Sequence, residues 1–150
     1  MSGVARFSLP AVLAVLVAGP LVTACGGTET FEVSDPWARP TAPGAEMGAI
    51  YFVADNDTDV DDSLVAATSP WCDEIELHTT DTRDGVMSMY PATDEQLVVP
   101  AGGELVAEPG GLHLMCVGLT QPIVEGEPVE VTVTFATAGD VALTASAEHR

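Results

Sequence analysis

From residue 30 onward, hydrophobic and polar residues alternate in short runs. The clearest is Val129–Thr137, where Val129, Val131, Val133 and Phe135 fall on one side and Glu130, Thr132 and Thr134 on the other. Side chains along a strand point alternately to opposite faces, so this is the pattern of a half-buried β-strand. Further runs of β type are Thr30–Val33, Gly48–Ala54, Ser63–Ala67, Glu74–Thr80, Val86–Tyr90, Gln96–Val99, Glu104–Ala107, Leu112–Leu119 and Val141–Ala147. Gly, Pro, Asp and Asn separate them, as turns require. No stretch of about ten residues or more, the usual length of a globular helix, has helical periodicity past the N-terminal segment. Many short strands at regular spacing predict an all-β fold, an antiparallel sandwich or barrel. The acidic run Asp55–Asp62 is superficially similar to a calcium loop but lacks the Gly at position six and the terminal Glu of an EF-hand. It reads as a solvated strand-connecting turn, with a calcium site as the alternative.

The N-terminal segment follows a different pattern. Met1–Ser8 carries one charge, Arg6, and Leu9–Val22 is apolar except for breaks at Pro10, Gly19 and Pro20. That is too short for a membrane span of about 20 residues and reads as a secretory signal. It ends Leu21-Val22-Thr23-Ala24-Cys25-Gly26-Gly27, which resembles the lipobox of bacterial lipoproteins, where the signal is cut before the Cys and the thiol is acylated. The resemblance implies a signal peptide over 1–24, lipidation at Cys25, a tether over 25–29 and a folded domain over 30–150. Such a protein is exported and lipid-anchored on the outer face of the bacterial cell membrane. One acyl chain alone anchors only marginally, so two or more are expected. Ordinary secretion with cleavage nearby is the alternative.

Charge narrows the function. The 150 residues hold 23 Asp plus Glu against 4 Lys plus Arg, a net charge of -19, and all four basic residues are Arg. Yet 47% are hydrophobic, so the acidity is not that of a disordered tail. Nucleic acid is excluded as a partner, because it demands clustered Lys or Arg. Attachment to anionic lipid by a basic patch is disfavoured for the same reason. The length suits one domain, expected to be a monomer. Loss of Arg6 with the signal takes the charge from -19 to near -20.

Residues able to do chemistry are few. Past Cys25 there are His78, His113 and His149, Cys72 and Cys116, and Met47, Met87, Met89 and Met115. There is no Lys, no Gly-x-Ser-x-Gly elbow, no phosphate loop and no dinucleotide fingerprint, so no enzyme activity is expected. The His and Met positions share strand parity. Glu76 and His78 lie on one face of Glu74–Thr80, Met87 and Met89 on one face of Val86–Tyr90, and His113 and Met115 opposite Leu112, Leu114 and Cys116. Two imidazoles with thioethers from neighbouring strands make a soft, neutral donor set. It suits Cu(I) better than hard cations or Zn, which prefer His, carboxylate and thiolate. Taken alone, His113-Leu114-Met115 is also the pattern of core filling beside a satisfied His.

A family resemblance bears on that choice. The opening Asp35-Pro36-Trp37-Ala38-Arg39-Pro40, Pro43-Gly44 and Gly48-Ala49-Ile50-Tyr51 is followed by Glu76-Leu77-His78, Gly85-Val86-Met87-Ser88-Met89 and Pro100-Ala101-Gly102-Gly103. Then come Pro109-Gly110-Gly111-Leu112-His113-Leu114-Met115 and Gly118-Leu119. Together, from Asp35 to about Thr134, they resemble the periplasmic copper chaperone family PCu(A)C. Its metal motif is a His, ten residues, a Met, twenty-one residues, then His-x-Met. Here ten residues separate His78 from Met89, but twenty-three separate Met89 from His113. The extra two are placed in Tyr90–Val99, where Thr93-Asp94-Glu95-Gln96 reads as a lengthened turn. A second departure is Thr80, where many members carry a Met.

The resemblance implies an immunoglobulin-like or cupredoxin-like β-sandwich binding copper as Cu(I) through His78, Met89, His113 and Met115, with Met87 as the alternative sulfur. It implies a metallochaperone that carries copper towards the copper A centre of cytochrome c oxidase, or to another copper-loading protein. A copper-storage or copper-resistance lipoprotein with the same site is the alternative.

Cys72 and Cys116 are an even pair in an exported chain, where disulfides persist. A bond between them would clamp the scaffold of the site; free buried thiols and copper or thiol-exchange chemistry are the alternatives. Parity points Cys116 away from the metal. His149 reads as part of a frayed terminus, and Trp37 and Arg39 as anchors of the N-terminal segment.

Overall fold

The computed structural model describes residues 29–150. Signal residues 1–24 and the lipidation site Cys25 lie outside the described residues. Each expected run contains a strand: β1 (Phe31–Ala38), β2 (Met47–Asn56), β3 (Asp62–Thr68), β4 (Cys72–Arg83), β5 (Val86–Pro91), β6 (Val98–Val99), β7 (Gly103–Ala107), β8 (Leu112–Leu119), β9 (Pro128–Phe135) and β10 (Gly139–Ala147). Among the described residues there is no α-helix. The strands join in one row, β5-β4-β8-β7-β2-β1-β10-β9-β3-β6, with β8 also pairing β2.

The row curls around a single core. One cluster joins Ile50 and Phe52 of β2, Leu114 of β8, Leu64 of β3, Phe135 of β9 and Ala145 of β10. These are the apolar members of the alternating runs. β9 keeps Val129, Val131, Val133 and Phe135 at 2% exposure or less. Gly48 is needed where β2 passes beneath Ile123, because a Cβ there would meet the Ile123 Cδ1 at 2.8 Å.

Three local features depart from the simple alternation. First, β1 runs past Val33 to Ala38. Pro36 has no N–H for a ladder, and the chain accommodates it by a register shift between Ser34 and Trp37, with Asp35 at φ 49°. Second, two pairings are parallel, β1 with β10 and β7 with β8. The second arises because β7 and β8 are halves of one broken strand. Both run antiparallel to β2, with Phe52 opposite Ala107 and Ile50 opposite Leu114, while the chain between Ala107 and Leu112 leaves the ladder. Third, Gln96–Val99 is a strand only at Val98–Val99. Asp94–Leu97 forms a 3-10 turn, with the Thr93 N–H donating to Gln96 Oε1 at 3.0 Å and the Gln96 N–H donating to the Thr93 carbonyl at 2.9 Å.

The acidic run forms the turn between β2 and β3, and its last two carboxylates, Asp61 and Asp62, are engaged by backbone amides. Asp62 accepts from the N–H groups of Ser63 at 2.7 Å and of Thr137 and Ala138 at 2.8 Å each. Asp61 accepts from Ala101 N–H at 2.8 Å. Burial raises the Asp62 pKa, but those amides outweigh it and hold the group below its ordinary value. Asp61 and Asp62 thus serve as caps, and among the described residues no cluster of three or more His, Cys, Asp or Glu is arranged to hold a metal ion.

Candidate metal centre

Register gathers the expected donors. Across β4 and β8, His78 faces His113 and Glu76 faces Met115. Across β4 and β5, Thr80 faces Met89 and Thr82 faces Met87. Ala49 of β2 faces Met115. Directly opposed residues share a face of the sheet, so these side chains form one patch, opposite the core side occupied by Leu112 and Leu114. Met87, Met89, His113 and Met115 line a common pocket of ≈ 380 Å³. Thr80, where many members of the resembling family carry a Met, lines it too. His78 is beside the pocket rather than in its lining, with its ring centroid 6.2 Å from that of His113 and the planes at 85°.

The break between β7 and β8 builds the rim. Glu108 N–H donates to the Leu112 carbonyl at 2.8 Å and Gly111 N–H to the Glu108 carbonyl at 3.0 Å, closing the excursion. Gly110 sits at φ +85°, a conformation glycine adopts without strain, and lines the pocket with Pro109. The Gly111 carbonyl then accepts twice, from Thr80 N–H of β4 at 3.0 Å and from His113 Nδ1 at 3.0 Å.

Those partners decide the imidazole tautomers. A carbonyl only accepts, so His113 Nδ1 carries the hydrogen and Nε2 keeps its lone pair. His78 Nε2 lies 2.9 Å from Glu76 Oε2, a carboxylate acceptor, so in the neutral ring Nε2 carries the hydrogen and Nδ1 keeps the lone pair. That Nδ1 is buried without a hydrogen-bond partner. Orienting one ring nitrogen by a carbonyl or carboxylate and leaving the other as a donor is how metal-binding His is usually prepared. The chemistry on offer is two nitrogen lone pairs and up to three thioether sulfurs, which fits a soft monovalent cation.

Exposure divides the set. His113 and Met115 are 4% and 7% exposed, whereas Met89 and Met87 are 53% and 69% exposed. Behind the site Cys72 and Cys116 form a disulfide with Cα atoms 5.5 Å apart. It ties β4 to β8, and neither sulfur reaches the pocket lining. His149 is exposed and lies outside the pocket.

Sequence spacing overlooked an aromatic and cationic stack along one side. Trp37 stacks on Tyr51 at 4.3 Å, the Arg39 guanidinium lies 6.0 Å from the Tyr51 centroid, and Arg150 lies 5.2 Å from that of Trp37. Arg150 also donates to Asp35 at 2.6 and 2.8 Å and to Glu148 at 2.8 Å. Burial pushes the Tyr51 phenol up, partly offset by the Arg39 charge. Tyr51 and Arg39 both line the pocket. The i, i+2 spacing of Trp37 at the end of β1 and Arg39 just past it, opposite Tyr51 and Ala49 on β2, was the signal that would have found them.

Known proteins share this architecture. A family model described as "Putative lipoprotein LpqE-like" matches residues 31–147. A curated relative, "Putative lipoprotein Lxx21020" of Leifsonia xyli subsp. xyli (strain CTCB07), is 34% identical over 104 residues, covering 69% of this chain. The match spans 61% of that relative, less than two thirds of its length. The solved copper-bound PCuAC domain from PmoF2 superposes with a TM-score of 0.65 at 22% identity, covering 80% of this chain and 93% of its own. The solution structure of CuI-DR1885 from Deinococcus radiodurans gives a TM-score of 0.62 at 25% identity, with 86% of each chain covered.

Proposed function

The chain belongs to the LpqE-like lipoprotein family and has the cupredoxin-like fold of PCuAC domains, and from that premise we propose that it is an extracytoplasmic Cu(I) metallochaperone. The observation that carries the reading is the pair of imidazoles whose free lone pairs are set by Gly111 and Glu76 beside a methionine-lined pocket. The solved PCuAC domain from PmoF2 is a copper-bound form and the solved structure of DR1885 is a CuI form, and the resemblance to those proteins adds weight.

In this reading His78, His113, Met115 and Met89 are the ligands, with Met87 as the alternative sulfur. No thiol has to lose a proton for these donors to bind Cu(I). The donors on β8 hold the ion, while the exposed thioethers on β5 give way to an incoming ligand one bond at a time. No step in this exchange is catalytic turnover. Export by residues 1–24 and acylation at Cys25 would tether the domain at the outer face of the cell membrane, and its client there is the copper A subunit of cytochrome c oxidase.

The test is a titration of the copper-free domain with Cu(I) against a competing chelator, with His78→Ala and His113→Ala alongside. Tight binding that both substitutions weaken supports the assignment; unchanged affinity in both refutes it. Transfer to a purified copper A domain, followed by the visible spectrum of that centre, tests the client. Failure of labelled fatty acid to incorporate, or incorporation that persists in Cys25→Ser, would dismiss the anchor.

A further inference from the structure

We propose that Arg39 is an anion seat at the mouth of the pocket, recruiting a thiolate as the incoming ligand in copper exchange. The inference rests on the Cu(I) reading above and names the chemistry of the exchanging ligand.

In a chain with 23 acids and four arginines, an arginine without a carboxylate partner is unexpected. Arg150 takes two carboxylates, Asp35 and Glu148. The ion pairs among the described residues include none to Arg39. Its side-chain contact is the face of Tyr51, which steadies a guanidinium while leaving its N–H fork available. Arg39 is exposed, and among the described residues it is the one charged side chain lining the pocket. It also lines an adjoining hollow of ≈ 200 Å³ with Met47 and Met115, so it stands where the two openings meet.

A fixed positive charge beside a site for a cation weakens binding of the bare ion. It becomes favourable when a second, anionic ligand arrives with or for that ion. At long range the net charge of -19 repels anions. Within a Debye length, about 8–10 Å at physiological salt, nearby charges decide; Arg39 lines the mouth, while the Glu76 carboxylate on the same face is engaged by His78 Nε2 at 2.9 Å. Carboxylate is a hard ligand and binds Cu(I) poorly; thiolate is the soft anion that can enter the pocket and take the metal. The exchange is redox-neutral. A thiol first loses its proton to solvent, its sulfur lone pair forms a Cu–S bond, and the Cu–S bond to a β5 thioether breaks with the methionine retaining its own pair.

The copper-free full chain is titrated with thiocyanate, a soft anion, while the Arg39 guanidinium and Tyr51 ring signals are followed by NMR. Saturable shifts are expected in the wild type and in Arg39→Lys, and none in Arg39→Gln. The copper-loaded chains are then mixed with mercaptoacetate, a thiolate source, or with neocuproine, an uncharged chelator. Arg39→Gln should slow transfer to mercaptoacetate about tenfold, the low end of charge-steering effects. Transfer to neocuproine should be unchanged, Arg39→Lys should restore the rate, and high salt should erase the difference. A short cysteine peptide run in parallel separates a protein thiolate from a free one, the larger Arg39→Gln effect marking the source. Equal slowing with both acceptors, or slowing with neither, overturns the seat, as does a wild type that does not respond to thiocyanate. A chain that responds to thiocyanate but binds no Cu(I) instead sinks the copper reading and leaves the anion seat standing.

Discussion

Strand β8 lies between β4 and β2, whereas β5 ends the row, and both supply side chains to one pocket. On β8, His113 and Met115 are buried, the first is held by the Gly111 carbonyl, and the disulfide from Cys116 secures the strand to β4. On β5, Met87 and Met89 project from an edge strand with most of their surface in solvent. Donors on a doubly paired strand are fixed before any ion arrives. Thioethers on an edge strand, with three rotatable bonds each, adjust to the ion and release it. A site built this way grips from one side and yields from the other, which suits cargo better than a resident cofactor.

The strongest challenge to that contrast is to loosen the fixed half. Replacing Cys72 and Cys116 together by Ala should cost about 2–5 kcal/mol of stability, read by denaturant unfolding. No loss would mean the ladder alone holds β4 to β8. Next, His113→Ala should lower Cu(I) affinity about a hundredfold, at or beyond the cost of losing a merely supporting residue. On β5, Met89→Leu should weaken binding about tenfold and Met87→Leu clearly less, while both stay within about 0.5 kcal/mol of wild-type stability because the positions are exposed. A larger loss for Met87→Leu would reverse the assignment of the sulfur. The smallest effect lies far from the pocket. Asp62 has a folded-state pKa below its ordinary 3.8, so the stability it confers is full above that value and drains away as pH falls through it. Asp62→Asn should therefore be less stable than wild type at neutral pH, the gap should narrow in acid melts, and copper affinity should not move.

Much of this was legible in the residues. Short β-type runs between turn residues located the strands, most cleanly β9, which buries one face, although β5 is almost wholly exposed and β8 is buried on both faces over Leu112–Cys116. The parity of His113 with Met115 and of Met87 with Met89 placed those side chains on one side. Alternation says nothing about which strands neighbour one another, so the break at Glu108–Gly111 and the parallel pair it creates were invisible. The 3-10 turn at Asp94–Leu97 escaped because Gln96-Leu97-Val98-Val99 is apolar enough to pass for a strand; the Thr93–Gln96 hydrogen bonds decide otherwise. Arg39 was read as an anchor because its Tyr51 partner is distant in the chain. The strand position that brings them together follows from pairing, not from composition.

The place of β1 in the row has a mechanical consequence. A pull on the chain ahead of Phe31 enters a strand bonded first to β2 alone and then, at Trp37 and Ala38, to β10 as well. Bonds perpendicular to the pull share such a load in shear, instead of opening one by one as they would in a peeled edge strand. Because β5 sits at one end of the row, tension on the N-terminal side is carried without passing through the strand that bears Met87 and Met89.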